Sequence, residues 1–107
     1  DYRYKYADRG KIESLMEKNP DYDDIIMVRH GFMTDSSYAN LIFYKGEEMV
    51  TPDTPLLNGT KRQCLLKEKR IREKKVRVED LKEFSHFGLI NAMLDPGEIR
   101  LPVEAIY

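Results

Sequence analysis

The chain has 107 residues, which suits one compact domain with one hydrophobic core. Its 18 Lys and Arg nearly balance its 19 Asp and Glu, so no strong net field attracts nucleic acid or anionic lipid, and no apolar run is long enough to cross a bilayer. A single cysteine excludes an internal disulfide and the first residues lack a secretory signal, so we expect a cytoplasmic protein with no nucleic-acid or membrane partner.

The first segment predicts a strand followed by a helix. Residues 2–6 alternate tyrosines with Arg3 and Lys5, so a strand here places the tyrosines on one face and the cations on the other. Because the chain starts in such a segment and without a methionine, we expect that an N-terminal region is missing. Residues 9–18 carry apolar positions on one helical stripe and predict a helix that ends before Pro20.

Two β-hairpins are predicted in the middle of the chain. The first joins the apolar residues 25–28 to residues 32–34 through a turn at His30 and Gly31. The second joins residues 39–44 to residues 49–51, and Pro52 ends its return strand. Between them, the polar residues 35–37 are expected to form a loop.

The second half of the chain predicts helices and strands in alternation. Residues 60–69 have an apolar side and predict a helix, and the cation-rich residues 67–75 are interpreted as its solvated end because they lack aromatic residues for base stacking. Residues 76–78 predict a short strand, residues 79–84 a helical turn and residues 87–94 a buried strand. The expected fold class is therefore mixed α/β.

Three segments carry groups that a phosphorylated cofactor needs. Lys5 lies close in sequence to two cations, which promote loss of its proton. Asp35 could meet a protonated ring nitrogen, and Gly59 and Thr60 could present helix N-terminal N–H groups to a phosphate. Each segment taken alone also has a structural alternative: Lys5 could be a surface lysine, Asp35 could be an Asx-turn residue, and Gly59 could begin an ordinary helix.

Several other site classes find no support in the sequence. His30 and His86 have no partners at metal-ligand spacing, so no metal site is predicted, and Cys64 is interpreted as a small buried apolar residue. Neither a Walker loop, a Rossmann fingerprint nor a nucleophile elbow occurs in the 107 residues.

In order and spacing, these segments resemble the class IV aminotransferases, a family that comprises branched-chain aminotransferases, D-amino acid aminotransferases and aminodeoxychorismate lyases. Lys5 followed by Arg9 is similar to the segment whose lysine holds pyridoxal 5′-phosphate as a Schiff base. Residues 34–41 are similar to a Thr-Glu-x-x-x-x-Asn-Leu-Phe stretch whose acid contacts the pyridine nitrogen, with aspartate here in place of glutamate. The resemblance thus implies a catalytic Lys5 and a set of cofactor-binding residues: Arg9, Asp35, Ser36, Ser37 and Asn40.

Two further segments extend the resemblance. Residues 51–62 are similar to a Thr-Pro segment followed by a Gly-x-x-Arg turn, which makes Leu57 a contact of the cofactor ring. In the same turn, Gly59, Thr60 and Lys61 become phosphate-binding residues. Residues 89–93 look like the late strand that ends beside the phosphate, and Asn91 and Ala92 there are similar to the lyase-type members.

The resemblance implies a large C-terminal domain of the D-amino acid aminotransferase type, built as a mixed sheet or barrel with flanking helices. Residues 1–107 would form a single cofactor-binding domain, the small N-terminal domain would be absent from the chain, and the enzyme would be a homodimer.

It also implies an aminotransferase or an aminodeoxychorismate lyase-like enzyme that acts on a small amino substrate, with Lys5 as tether and general base. The spacing of Lys5 and Arg9 and the Asn91–Ala92 pair favour the lyase. Two alternatives stay open: a catalytically inactive fragment, and an α/β interaction module that uses the surface of residues 67–75.

Overall fold

The computed structural model describes residues 4–8, 24–36 and 38–106, and of residues 4–8 and 24 it describes the backbone only. The described strands are β1 (Tyr4–Asp8), β2 (Asp24–Arg29), β3 (Phe32–Ser36), β4 (Asn40–Lys45), β5 (Glu48–Pro52), β6 (Arg72–Lys74), β7 (His86–Ile90) and β8 (Arg100–Pro102). The described helices are α1 (Thr60–Lys67) and two 3₁₀ helices, Val78–Glu83 and Val103–Ala105. None of the described helices is long and apolar enough to cross a bilayer.

The eight described strands form one mixed sheet around β4. Strand β4 pairs with β7 from Asn40 to Tyr44, while its other edge meets β3 at its start and β5 at its end, all antiparallel. Parallel pairs form at both sides of this centre, between β1 and β2 and between β5 and β6. The strands β3 and β4 share one register position, Asp35 opposite Asn40, so this pair lies where β3 separates from β4.

Both predicted hairpins are present. Strands β2 and β3 are antiparallel and turn at His30 and Gly31, whose φ angles of 54° and 82° match the left-handed turn that suits the twist of a hairpin. Strands β4 and β5 are antiparallel and turn at Gly46, whose φ is also positive. Of the strand expected at residues 2–6, residues 4–6 lie in β1, which continues to Asp8.

The core lies on both faces of β4, because its central residues are all apolar. Leu41 and Phe43 belong to the larger buried cluster, which also contains Met33 and Phe87, among others. Alternate residues of a strand point to opposite faces, so Ile42 and Tyr44 belong to a second cluster, which Leu65 of α1 helps to cover. A strand buried on both faces is expected to be a continuous apolar run.

The expected polar loop at residues 35–37 is wrong for its first two residues. Asp35 and Ser36 are the last residues of β3 and are both buried, with 3% of each exposed. Polarity indicated a loop, but the Ser36 hydroxyl accepts the Ala39 N–H at 3.0 Å and so closes the turn from within the strand.

The helix at residues 60–69 is present but ends at Lys67. Lys69 has a φ of 60°, and the Arg70 N–H returns to the Leu65 carbonyl at 3.0 Å, which closes the C-terminus as a left-handed cap does. The cation-rich residues 67–75 are therefore not simply a solvated helix end, since Arg72–Lys74 forms β6. Cys64, predicted to be buried, is exposed on α1.

Of two strand predictions in the last third of the chain, one is wrong and the other is wrong in its limits. Residues 76–78 do not form a strand, because the Asp80 carboxylate accepts the Arg77 N–H at 3.0 Å and begins a 3₁₀ helix at Val78. The strand expected to reach residue 94 ends at Ile90, because the Asn91 side chain accepts the Met93 N–H at 2.8 Å and turns the chain. Strand β8 was not predicted, and the helix predicted at residues 9–18 lies outside the described residues.

Candidate functional site

A cavity of about 450 Å³ opens where β3 separates from β4, and it is bordered by the loop before α1 and by the turn after β7. Nine of the predicted site residues have described side chains, and eight of them line this cavity. These eight are Asp35, Ser36, Asn40, Leu57, Gly59, Thr60, Asn91 and Ala92. Segments as far apart as residues 35 and 92 are thus brought to one place.

Asp35 combines burial with a defined hydrogen-bonding role. Its Oδ2 accepts the backbone N–H groups of Leu56 and Leu57 at 3.0 and 3.1 Å. A buried carboxylate is costly unless it is hydrogen-bonded, and these two bonds offset part of that cost. The same bonds attach the loop before α1 to the end of β3.

Asn40 holds the same loop from the next strand. Its Nδ2 donates to the Leu57 carbonyl at 2.7 Å, so the two polar residues hold Leu57 by its N–H and by its C=O. Its Oδ1 faces Gly59, where an added Cβ would lie only 2.6 Å away. Gly59 is therefore required by close approach and not by its backbone angles, which are φ −64° and ψ 157°.

The N-terminus of α1 forms one wall of the cavity through Gly59 and Thr60. Gly59 caps the helix without a side-chain hydrogen bond, and the first turn contains no acidic residue. The leading N–H groups of a helix and its dipole favour an anion. This end of the cavity is therefore chemically suited to an anionic group.

Lys61 is the predicted residue that does not line the cavity. Its ammonium forms an ion pair with Asp95, on the turn that follows β7. That hydrogen bond raises the pKa of Lys61 and lowers the pKa of Asp95. The side chain of Lys61 thus connects α1 to the turn that carries Asn91 and Ala92, and any contact with a phosphate falls to its backbone.

The polar groups of Ser36 and Asn91 are both used within the turns around the cavity. The Ser36 hydroxyl accepts the Ala39 N–H, and the Asn91 Oδ1 accepts the Met93 N–H. Asn91 Nδ2 also approaches the Tyr38 carbonyl at 3.4 Å. These residues shape the wall in addition to lining it.

For three of the predicted site residues, the structure does not describe the side chain. Lys5 lies in β1 opposite Ile25 of β2, the strand that contributes Met27 to the cavity, and its side chain is outside the description. Arg9 and Ser37 are outside the described residues. Their roles stay predictions.

The sequence prediction missed five other residues that line the cavity: Met27, Tyr38, Ala39, Leu56 and Asn58. It also assigned no role to Arg62, which is buried and bonded to Asn58. The sequence identifies Arg62 as the last residue of the Gly-x-x-Arg turn, but it does not show which residues form hydrogen bonds with its guanidinium. Tyr38 and Leu57 are 52% and 73% exposed, so the rim of the cavity is apolar and open.

Comparison with known proteins matches most of the chain to one family. The family model described as amino-transferase class IV matches residues 4–100. An uncharacterized protein of Haemophilus influenzae is 43% identical over 93 residues, which are 87% of this chain and 50% of that protein. The chain therefore spans about half the length of that relative.

Solved structures show the same fold. A candidate 4-amino-4-deoxychorismate lyase from Haemophilus somnus has a TM-score of 0.73 at 34% identity, over 87% of this chain and 53% of that one. The pyridoxal-phosphate-bound form of a hypothetical aminotransferase from Mycobacterium tuberculosis has a TM-score of 0.72 at 17% identity, over 97% of this chain and 46% of that one. The predicted fold class, a mixed sheet with flanking helices, is confirmed.

Proposed function

Since this chain belongs to the class IV aminotransferase family, we propose that it forms the cofactor-binding part of a pyridoxal-phosphate-dependent enzyme. The substrate we propose is an amino acid or an amino-chorismate-type compound. The observation that carries the proposal is the cavity in which a buried carboxylate, a helix N-terminus without a side-chain cap and an exposed leucine converge.

The residues present fit this cofactor. A volume of about 450 Å³ lies within the range of small-ligand sites. Gly59 and Thr60 line the cavity at the N-terminus of α1, where the first N–H groups of the helix would be available to the phosphate. Asp35, at the end of β3, lines the same cavity and would supply the carboxylate that a protonated ring nitrogen requires.

The described residues divide into three binding roles. Thr60 and the backbone of Lys61 would hold the phosphate, and Asn91 and Ala92 would close that end of the cavity. Gly59 would border the phosphate without donating to it, because its N–H already donates to the Leu57 carbonyl at 3.1 Å. Leu57 would pack against the ring. Asp35 would hold a proton on the ring nitrogen, since a carboxylate next to a titratable nitrogen favours its protonated form.

Pyridoxal phosphate, when bound, supplies an electron sink for the pair of electrons that remains after the substrate loses its α-proton. Lys5 would first tether the cofactor through its amine. Once the amino substrate has displaced it, the free amine would accept the α-proton as general base. The neutral amine is the form that accepts a proton, so the environment of Lys5 must favour loss of its charge.

We favour a lyase-like reaction over transamination. After the α-proton is removed, loss of a leaving group from the substrate gives a lyase reaction, whereas return of a proton to a different carbon gives transamination. The spacing of Lys5 and Arg9 and the Asn91–Ala92 pair resemble the lyases, and the 34% identity to the candidate lyase from Haemophilus somnus supports the same choice.

We further propose that a small N-terminal domain and a second copy of the chain complete the site, in the cytoplasm. Leu57 and Tyr38 border the cavity and are 73% and 52% exposed, and Met93, which follows the lining residue Ala92 in the chain, is 88% exposed. Exposed apolar side chains grouped around a cavity are typical of a surface that another domain covers.

The first test is covalent labelling. The full chain is incubated with pyridoxal phosphate, reduced with borohydride and analysed by peptide mass spectrometry, together with Lys5→Ala and the matched control Lys45→Ala. Lys45 is an exposed lysine at the end of β4, away from the cavity. We expect a phosphopyridoxyl group on Lys5 that is lost in Lys5→Ala and retained in Lys45→Ala.

Labelling scattered over many lysines, or none, would contradict the proposal and favour the interaction module. That alternative predicts salt-sensitive binding of an acidic partner to residues 67–75. Its surface is less cationic than its composition indicates, because Arg72 pairs with Glu48 and Lys75 pairs with Asp53.

A further inference from the structure

Arg62 is a buried cation to which the proposed chemistry assigns no task. Only 3% of the residue is exposed, and it does not line the cavity. Burial of a guanidinium is costly unless its donors are bonded and its charge is paired. Such a residue in the first turn of α1 therefore calls for a specific role.

Its guanidinium joins three separate segments. One nitrogen, Nη1, donates to the Asn58 side chain at 2.9 Å. The other, Nη2, donates to the Pro52 carbonyl at 3.0 Å and to the Glu73 carboxylate at 2.5 Å. Arg62 thus connects its own helix to the end of β5, to β6 and to the residue that precedes Gly59.

The bond to Asn58 is the one that reaches the cavity. Asn58 lines the cavity and is directly followed by the cap residue Gly59. Its backbone carbonyl also accepts a hydrogen bond from the Gln63 side chain at 2.8 Å, so the side-chain oxygen and the backbone carbonyl of Asn58 are both held by residues of α1. The path of the chain into the helix start is therefore set by the helix itself.

We propose that Arg62 is a positioning residue for phosphate binding: through Asn58 it sets the turn from Asn58 to Thr60, so that the first N–H groups of α1 face the cavity. This inference rests on the proposed function, because it presumes that a phosphate occupies this end of the cavity. Arg62 acts through the loop and does not touch the ligand.

A substitution of Arg62 can distinguish the effect of its guanidinium geometry from the effect of its positive charge. The Glu73 carboxylate lies 2.5 Å from Nη2 and offsets much of the positive charge. A lysine keeps the charge, but its compact ammonium cannot reproduce the planar fork that reaches three acceptors. Arg62→Lys therefore removes positioning and retains charge.

The test measures the preference for a phosphorylated ligand. The dissociation constants of pyridoxamine 5′-phosphate and pyridoxamine are determined by calorimetry on the full chain, because neither compound has an aldehyde and their binding does not depend on a covalent bond to Lys5. Arg62→Lys and Asn58→Ala are compared with the unchanged chain. Arg72→Lys is the matched control, since Arg72 is an exposed arginine that also pairs with a carboxylate, Glu48.

We expect Arg62→Lys and Asn58→Ala to lower the ratio of the two affinities about tenfold, as loss of a hydrogen bond to a charged group implies, which equals about 1.4 kcal/mol. The affinity for pyridoxamine and the ratio in Arg72→Lys should be unchanged. A general loss of structure would weaken both ligands together and would not change the ratio. If Arg62→Lys does not fold, as judged by its thermal unfolding, Asn58→Ala decides alone, because Asn58 is exposed.

Two negative results have different meanings. If the unchanged chain prefers the phosphorylated ligand and both variants keep that preference, the positioning role of Arg62 is refuted and the proposed function stands. If the unchanged chain binds neither ligand or shows no preference, the phosphate site fails, and this inference fails with it.

Discussion

The contact between Gly59 and Asn40 makes Gly59→Ala a sharp test of the site geometry. A Cβ added at Gly59 would lie 2.6 Å from Asn40 Oδ1, where ordinary contacts begin at 3.4 Å. Asn40 would have to retreat by about 0.8 Å to restore ordinary contact. Its Nδ2 is bonded to the Leu57 carbonyl at 2.7 Å, so the retreat strains that bond.

Two opposing effects determine the expected change in the free energy of unfolding of Gly59→Ala. Overpacking of this kind costs about 1–3 kcal/mol, which includes roughly 1 kcal/mol for a weakened hydrogen bond. Alanine lowers the conformational entropy of the unfolded chain and so stabilises the folded protein by about 0.4–1 kcal/mol, since the backbone angles at Gly59 suit any residue. We expect a net loss of about 1–2 kcal/mol in the free energy of unfolding, or a melting temperature lower by about 5–10 °C.

A double-mutant cycle tests whether the loss of stability in Gly59→Ala comes from the contact with Asn40. Urea unfolding is measured for Gly59→Ala, Asn40→Ala and the double variant. In the Asn40→Ala background the obstructing oxygen is gone, so Gly59→Ala should cost close to nothing, and the coupling free energy should reach about 1 kcal/mol or more. An equal cost of Gly59→Ala in both backgrounds, or no cost in either, would refute the reasoning.

Two predictions concern pH. The hydrogen bond from Lys61 lowers the pKa of Asp95, so the stability that this pair contributes is present above the ordinary aspartate range and is lost as the pH falls through the lowered pKa. The free energies of unfolding of the unchanged chain and of Asp95→Asn should therefore differ at pH 7 and converge as the pH falls below that lowered pKa. A difference that does not change with pH would contradict this expectation. Burial raises the pKa of Tyr44 and the charge of Arg100 partly offsets that effect, so its stabilising contribution is complete below about pH 10 and is lost as the pH rises through the raised pKa. Unfolding measured from pH 9 to 12 should therefore show a smaller loss for Tyr44→Phe than for the unchanged chain, and parallel curves would exclude a role for this phenol.

The hairpins were predictable because their signals are local. An apolar run, a turn that contains glycine and a second extended run lie within about ten residues at positions 25–34, and a chain with this pattern has few other ways to bury its apolar face. The strands β2 and β3 follow this pattern, with Gly31 at a positive φ.

The errors fall where distant partners decide the local structure. Asp35 was expected in a loop because it is polar, but its carboxylate is bonded to the N–H groups of Leu56 and Leu57, more than twenty residues later. Strand β8 was missed because it has only three residues, which are ordered by their pairing with β7. The propensity of so short a segment is weaker than the tertiary contacts that order it.

For the candidate site, the order and spacing of motif residues predicted which segments meet, and eight of the nine described residues line one cavity. What the motifs did not show is which polar groups remain available there. The Lys61 ammonium is used by Asp95, and the Ser36 hydroxyl is used by its own turn.

The amino-acid order therefore specified the hairpins, the helix start at Gly59 and the family, because these depend on periodicity and on short motifs that act over a few residues. Folding in three dimensions decided that Asp35 becomes part of a strand, that Lys61 turns from the cavity to Asp95, and that Arg62 is buried beside Asn58. The physical reason is that a buried polar group must find a hydrogen-bonding partner, and the partner that satisfies it is chosen by proximity in space and not by distance along the chain.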